Sequence, residues 1–174
     1  LVPQETFLFS TSIRDNIAFG VEGAQPEDVA RAAQVAHIRD EFELFPKAFD
    51  TMVGERGLTL SGGQKQRTAL ARAILRNPKI LILDDALASV DTWTEERILE
   101  ELRAVMAGCT TILISHRIST VRHSDRIALL VRAQIVELGT NEELLGRIGY
   151  YAGLFQQQLI AEELAVTHSP PSDV

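Results

Sequence analysis

The chain carries a single cysteine, Cys109, in 174 residues. An intramolecular disulfide and a multi-cysteine metal site are therefore excluded, and the usage suits a reducing compartment. Cys109 stands just before an apolar run and reads as a structural thiol. No run approaches the roughly 18 apolar residues that span a bilayer. No segment reads as a signal peptide, and no internal repeat is visible. Positive charge is in deficit: 17 Lys and Arg stand against 24 Asp and Glu, a net charge of −7. That balance argues against wrapping nucleic acid as a main role. His123 and His168 have no ligand partners at useful spacing. The phosphate-loop pattern G-x-x-x-x-G-K-[ST] is missing as well.

What is present is ordinary globular composition, 45% hydrophobic and 24% charged, at a length sufficient for one domain with a real core. The stretch around which the rest is organised is Leu60-Ser61-Gly62-Gly63-Gln64-Lys65-Gln66, directly before a helix-forming run over residues 67–76. Ser61 suits an N-cap, because its side-chain oxygen can accept an unpaired N–H of the first turn. The glycines let a foreign group approach the backbone, and the positive helix end favours an anion there. From Ser-Gly-Gly alone, an ordinary capped helix after a Gly-rich turn is an equal reading.

Residues 79–83 form a short apolar run that ends on Asp84 and Asp85. It reads as a fully buried parallel strand, with acids at the end where open α/β sheets bind ligands. Residues 110–115 form a second such run, ending before His116. Between them, residues 92–106 read as a helix with Asp91 as N-cap, giving a strand–helix–strand crossover. Upstream, Pro26 opens a helix with an apolar face of Val29, Ala32, Ala33 and Ala36, closed by His37 as a solvated cation. A second helical segment over 39–45 stops before Pro46. Lys65, Arg67, Arg72 and Arg76 read as a mostly solvated face, and Trp93 as a packing residue. Residues 126–131 and 134–138 read as a hairpin, although Arg132-Ala133 is a poor turn pair. Residues 150–165 read as a helix with Leu154, Phe155, Leu159 and Ile160 on one side, before a polar tail.

The Ser-Gly-Gly-Gln start, the acid-terminated strand and the strand ending in Ser115-His116 occur in the order of one family. They resemble the LSGGQ signature, the Walker B strand and the switch histidine of ATP-binding cassette (ABC) ATPases. Ser12-Ile13-Arg14-Asp15-Asn16-Ile17 and Thr51-Met52-Val53-Gly54-Glu55-Arg56-Gly57 resemble exporters of that family. The resemblance covers residues 1–158. It implies an α/β P-loop NTPase core, mostly parallel sheet flanked by helices, with an inserted helical signature subdomain and the N-terminal part of the core missing. It makes residues 1–165 a partial nucleotide-binding domain, and the polar, Pro-containing composition beyond reads as a disordered tail over 166–174. Within the domain it sets a helical subdomain at 12–77, the core at 78–140 and C-terminal helices at 141–165.

The resemblance also implies ATP and Mg²⁺ as ligands and supplies roles. Ser61, Gly62, Gly63 and Gln64 would bind nucleotide held by a second nucleotide-binding domain. Asp84 and Gln4 would hold the metal; Asp85, Gln4 and His116 would serve hydrolysis. Asp91 would cross the dimer interface, and Glu55 would contact membrane domains. The chain would work at the cytoplasmic face of a membrane, powering export by ATP hydrolysis. Asp85 departs from the family's commonest pattern, where Glu follows the metal-holding Asp. One methylene fewer displaces the carboxylate by roughly 1 Å, and misplacement of that size costs about 10²-fold in rate. This points to the degenerate site of a heterodimer. Since the chain opens on Leu1 and lacks the phosphate loop, it reads as a fragment, inactive alone. Two alternatives are a non-hydrolysing module that docks on an intact subunit, and a soluble ABC ATPase of DNA maintenance or translation. The exporter-like segments and the acidic charge disfavour the latter.

Overall fold

The computed structural model describes residues 1–54 and 59–167, the last six of them as backbone alone. Glu55, Arg56, Gly57 and residues 168–174 of the expected tail lie outside the described residues. Two compact units form, Leu1–Ser115 and His116–Val174.

The first unit holds α1 (Ile13–Ala18), α2 (Pro26–Val35), α3 (Arg39–Glu43), a single 3₁₀ turn (Ala48–Asp50), α4 (Gly62–Leu75), β1 (Ile80–Asp84), α5 (Thr92–Met106) and β2 (Thr110–Ile114). Ser12 caps α1 by accepting from the Asp15 N–H. Pro26 sits in the first turn of α2, and Val29, Ala32, Ala33 and Ala36 are buried as the apolar spacing requires. α1 and α2 pack against α4, closing a core that includes Ile13, Ile17, Phe42 and Leu70. β1 and β2 are parallel, in register from Ile80↔Thr110 to Asp84↔Ile114, with α5 as the connection between them. Val2 extends the sheet on the other side of β1: its N–H donates to the Ile82 carbonyl at 2.8 Å, and its carbonyl accepts from the Asp84 N–H at 2.9 Å.

Several features differ from the pattern reading. Within this chain β1 is covered on one face only: its Leu81 and Leu83 are buried, whereas Ile80, and Ile112 and Ile114 of β2, are exposed. Apolar runs show that a strand is buried somewhere, not that both faces are covered. Arg67 and Arg72 are not a solvated face. Arg67 is buried, and Arg72 reaches the carbonyls of Phe7 and Asn16, its guanidinium 5.6 Å from the Phe9 ring centre. Burial pushes the Arg72 guanidinium below its usual pKa. Trp93 does not pack inward; it is 64% exposed and lies against Arg97. α2 ends at Val35, and His37 follows it in left-handed backbone, φ 53°.

The second unit holds α6 (Ile118–Val121), β3 (Ile127–Val131), β4 (Gln134–Gly139), α7 (Asn141–Leu145) and α8 (Tyr150–Thr167). β3 and β4 pair antiparallel as expected. Arg132 and Ala133 make the turn by taking positive φ, 48° and 61°. That is the backbone a two-residue hairpin loop needs whatever its side chains. Ile118, Ile127, Leu144 and Tyr151 form a small core, and the Tyr151 hydroxyl donates to Asn141 Oδ1 at 2.7 Å. Along α8, Phe155 packs on this core while Leu154, Leu159 and Ile160 are exposed, so the expected stripe is only partly covered. Among the described residues no helix is long and apolar enough to cross a membrane.

Candidate functional site

α4 begins at Gly62, five residues before the run that marks it in the sequence. Ser61 is its N-cap, completing a reciprocal capping box. The Ser61 hydroxyl accepts from the Gln64 N–H at 3.2 Å, and Gln64 Oε1 accepts from the Ser61 N–H at 2.9 Å. A helix start leaves four N–H groups without intrahelical partners. The capping box satisfies those of Ser61 and Gln64. The two that remain belong to Gly62 and Gly63, at the positive end of a 14-residue helix. Gly63 is also a packing requirement, since a Cβ there would stand 3.0 Å from the Ser89 carbonyl oxygen.

Ser89 lies in the loop that leaves β1 and ends at Asp91. Gln66, buried on the next turn of α4, accepts from the Ser89 N–H at 2.9 Å. One side chain therefore ties the helix start to this loop. Asp91 closes the loop by capping α5, its Oδ1 accepting from the Thr94 N–H at 2.9 Å. That backbone N–H holds the Asp91 carboxyl below its ordinary pKa.

At the carboxyl ends of the strands stand Gln4, Asp84 and Asp85. Val2 pairs parallel with Leu83, so the chain segments bearing Gln4 and Asp85 leave at the same carboxyl end of the strands. Gln4 is exposed, and its neighbours Pro3 and Glu5 line a cleft of about 360 Å³ with Arg72, Arg76 and Leu81. Asp84 and Asp85 are half-buried. Asp85 is left-handed, φ 46°, with its N–H donating to the Ile114 carbonyl at 2.8 Å. Among non-glycine residues Asp is one of the few that accepts this backbone readily. His116 is exposed and belongs to the second unit, where its carbonyl accepts from Gln158 Nε2 at 2.8 Å. Glu55 lies outside the described residues.

Residues 1–88 match the ABC transporter family. The chain belongs to that family. It is 46% identical over 158 residues to the ATP-dependent lipid A-core flippase of Syntrophus aciditrophicus, covering 91% of this chain and 26% of the flippase. It is 48% identical over 163 residues to ATP-binding cassette sub-family B member 6 of Xenopus tropicalis, covering 94% of this chain and 19% of that protein. A solved structure described as a bacterial Atm1-family ABC exporter with ATP bound superposes with a TM-score of 0.86 at 46% identity. That match covers 91% of this chain and 28% of the exporter chain. The chain thus spans between 19% and 28% of the length of these relatives. The likeness to exporter-type members rests on more than motifs, and the fold is that of the ABC ATPase, an α/β P-loop NTPase type.

The residues missed by pattern are the ones that brace this ABC signature turn: Glu41, Gln66 and Arg67. Arg67 Nη1 donates to the His37 carbonyl at 2.6 Å and to Glu41 Oε1 at 2.7 Å, and its Nε donates to the Gly63 carbonyl at 3.3 Å. The only sequence signal is their placement beside Ser61–Gln64. Their partners lie as much as 30 residues away.

Proposed function

We propose that this chain is the nucleotide-facing part of an ABC exporter, in which ATP binding and hydrolysis power export of a substrate across a membrane. The observation that carries the reading is the start of α4 in a chain of this family, with the Gly62 and Gly63 N–H groups left over by the capping box. Two such groups at a positive helix end suit the phosphate oxygens of a nucleotide held by a second nucleotide-binding domain. Ser61 and Gln64 fix the turn, and Gly63 keeps its backbone open.

At the strand ends, Asp84 and Gln4 offer only oxygen donors from a side-chain carboxylate and an amide, the set that a Mg²⁺ ion accompanying the nucleotide takes. Bound there, Mg²⁺ would neutralise phosphate charge. Asp85 would steer the attacking water's proton, and His116 would donate a hydrogen bond toward the terminal phosphate. Asp91 would meet the partner domain, and Glu55 the membrane domains, at the cytoplasmic face. The same reading makes Asp85 the mark of a slow site in a heterodimer, while an intact signature completes the faster site on the partner's phosphate loop.

The test is phosphate release by the full-length protein in liposomes, wild type against Gly63→Val. Substitution against the Ser89 carbonyl should lower MgATP turnover at nucleotide well below KM by about 10²-fold. Equal turnover in the two would remove the signature turn from the reaction.

A further inference from the structure

We propose that Glu41 is a positioning residue for the nucleotide-facing turn of α4, a role that rests on the functional reading above. The two carboxylate oxygens of Glu41 are used separately. Oε1 accepts from Arg67 Nη1 at 2.7 Å and Oε2 accepts from Gln64 Nε2 at 3.0 Å. Both ends of the Gln64 amide are thereby held: its Oε1 closes the capping box on Ser61 while its amide nitrogen is fixed from outside the helix. Arg67, one turn on, returns to the same turn through the Gly63 carbonyl. Glu41 thus orients Gln64 directly and, through Arg67, the carbonyl of Gly63, whose own N–H is one of the two that the capping box leaves over.

The brace is itself anchored. Glu41 is followed on α3 by Phe42, which is fully buried with its ring against Phe45 and Phe49, both at 5.8 Å between centres. Ile38, at the start of the same helix, is also fully buried. The carboxylate therefore stands on a rigid base rather than a loose surface turn, although its own side chain is 42% exposed. An ion pair of that exposure contributes little by charge alone. Its value lies in geometry: one planar group fixes two neighbours at once. Glu43, two positions along, makes a plain exposed pair with Arg39 at 2.6 Å and touches nothing in the turn, so it serves as the internal control.

The experiment uses the full-length protein and the variants Glu41→Ala, Glu41→Asp and Glu43→Gln. N–H groups that grip phosphate equally in ground and transition state act on KM rather than kcat. Losing charge-assisted hydrogen bonds that hold them should raise the KM for MgATP about tenfold in Glu41→Ala. Glu41→Asp should recover part of it, and Glu43→Gln should match wild type. Amide hydrogen exchange in nucleotide-free protein should be about tenfold faster over residues 61–66 in Glu41→Ala alone. A lower unfolding temperature with KM unmoved would make Glu41 merely structural and overturn the proposal, as would unchanged exchange. If wild type itself neither binds nor hydrolyses ATP, the functional reading fails, and the exchange comparison by itself decides whether Glu41 sets the turn.

Discussion

The start of α4 and the carboxyl end of β1 carry the two halves of the proposed chemistry, and they are built differently. The helix start is braced by side chains: Ser61, Gln64, Glu41 and Arg67 form a continuous hydrogen-bonded set. The strand end is held by backbone. Asp84 and Asp85 are fixed through their N–H groups to the Val2 and Ile114 carbonyls. A surface that only receives phosphate oxygens can be finished in advance. In the proposed function the strand-end carboxylates would take their metal and water only when the nucleotide arrives, so there the backbone alone sets the starting geometry. Asp85 takes left-handed backbone in the second region, a conformation Asp tolerates, while Arg67 is buried in the first.

The largest way to break the contrast is Arg67→Met, which leaves the His37 carbonyl without that donor and turns one oxygen of the half-exposed Glu41 carboxylate to water. A loss of about 2 kcal/mol is expected, read from the urea midpoint. Next is Asp85→Glu in the full-length protein, which should raise ATP turnover about tenfold by restoring the longer reach. It should also cost about 1 kcal/mol of stability, because Glu tolerates left-handed backbone less well than Asp. Unchanged turnover would end the degenerate-site reading. Ser61→Ala, which opens the capping box, should cost about 1 kcal/mol in thermal or denaturant unfolding.

The smallest effect is a pH dependence. The Asp91 carboxyl is held below its ordinary value of 3.8 by the Thr94 N–H, so its contribution is full above that pH and fades as pH falls through the lowered value. Asn caps equally well without titrating. The stability difference between wild type and Asp91→Asn should therefore be constant at neutral pH and shift toward Asn only below 3.8. A difference that changes at neutral pH would show that another group is responsible.

Much of this contrast was legible in the sequence because it is local. Ser61 before two glycines, Asp91 before a helix, and two apolar runs ending in polar groups each declare themselves within a few residues. What pattern could not reveal is set by distant partners. Arg67 meets a carbonyl 30 residues away and Arg72 one 56 residues away, so both read as surface charge. The apolar alternation that hides one face of β1 says nothing of whether the other is covered. Backbone sign is equally silent: Asp85, Arg132 and Ala133 all take positive φ without the glycine that usually announces it. The roles proposed for Gln4, Asp84, Asp85 and His116 came from family likeness, since an isolated acid or histidine at a strand end has many ordinary explanations.

Trp93 gives the chain an optical consequence. It is the sole tryptophan of these 174 residues, in the first turn of α5 and two positions from Asp91. Its indole is wet and faces a guanidinium, so its fluorescence is that of a solvated ring. Any body that comes to rest on Asp91 and dries the neighbouring indole shifts that emission toward the blue. If the partner domain meets Asp91 as the proposed function has it, its arrival would be read from Trp93 in real time, a residue that contributes little to holding the fold together.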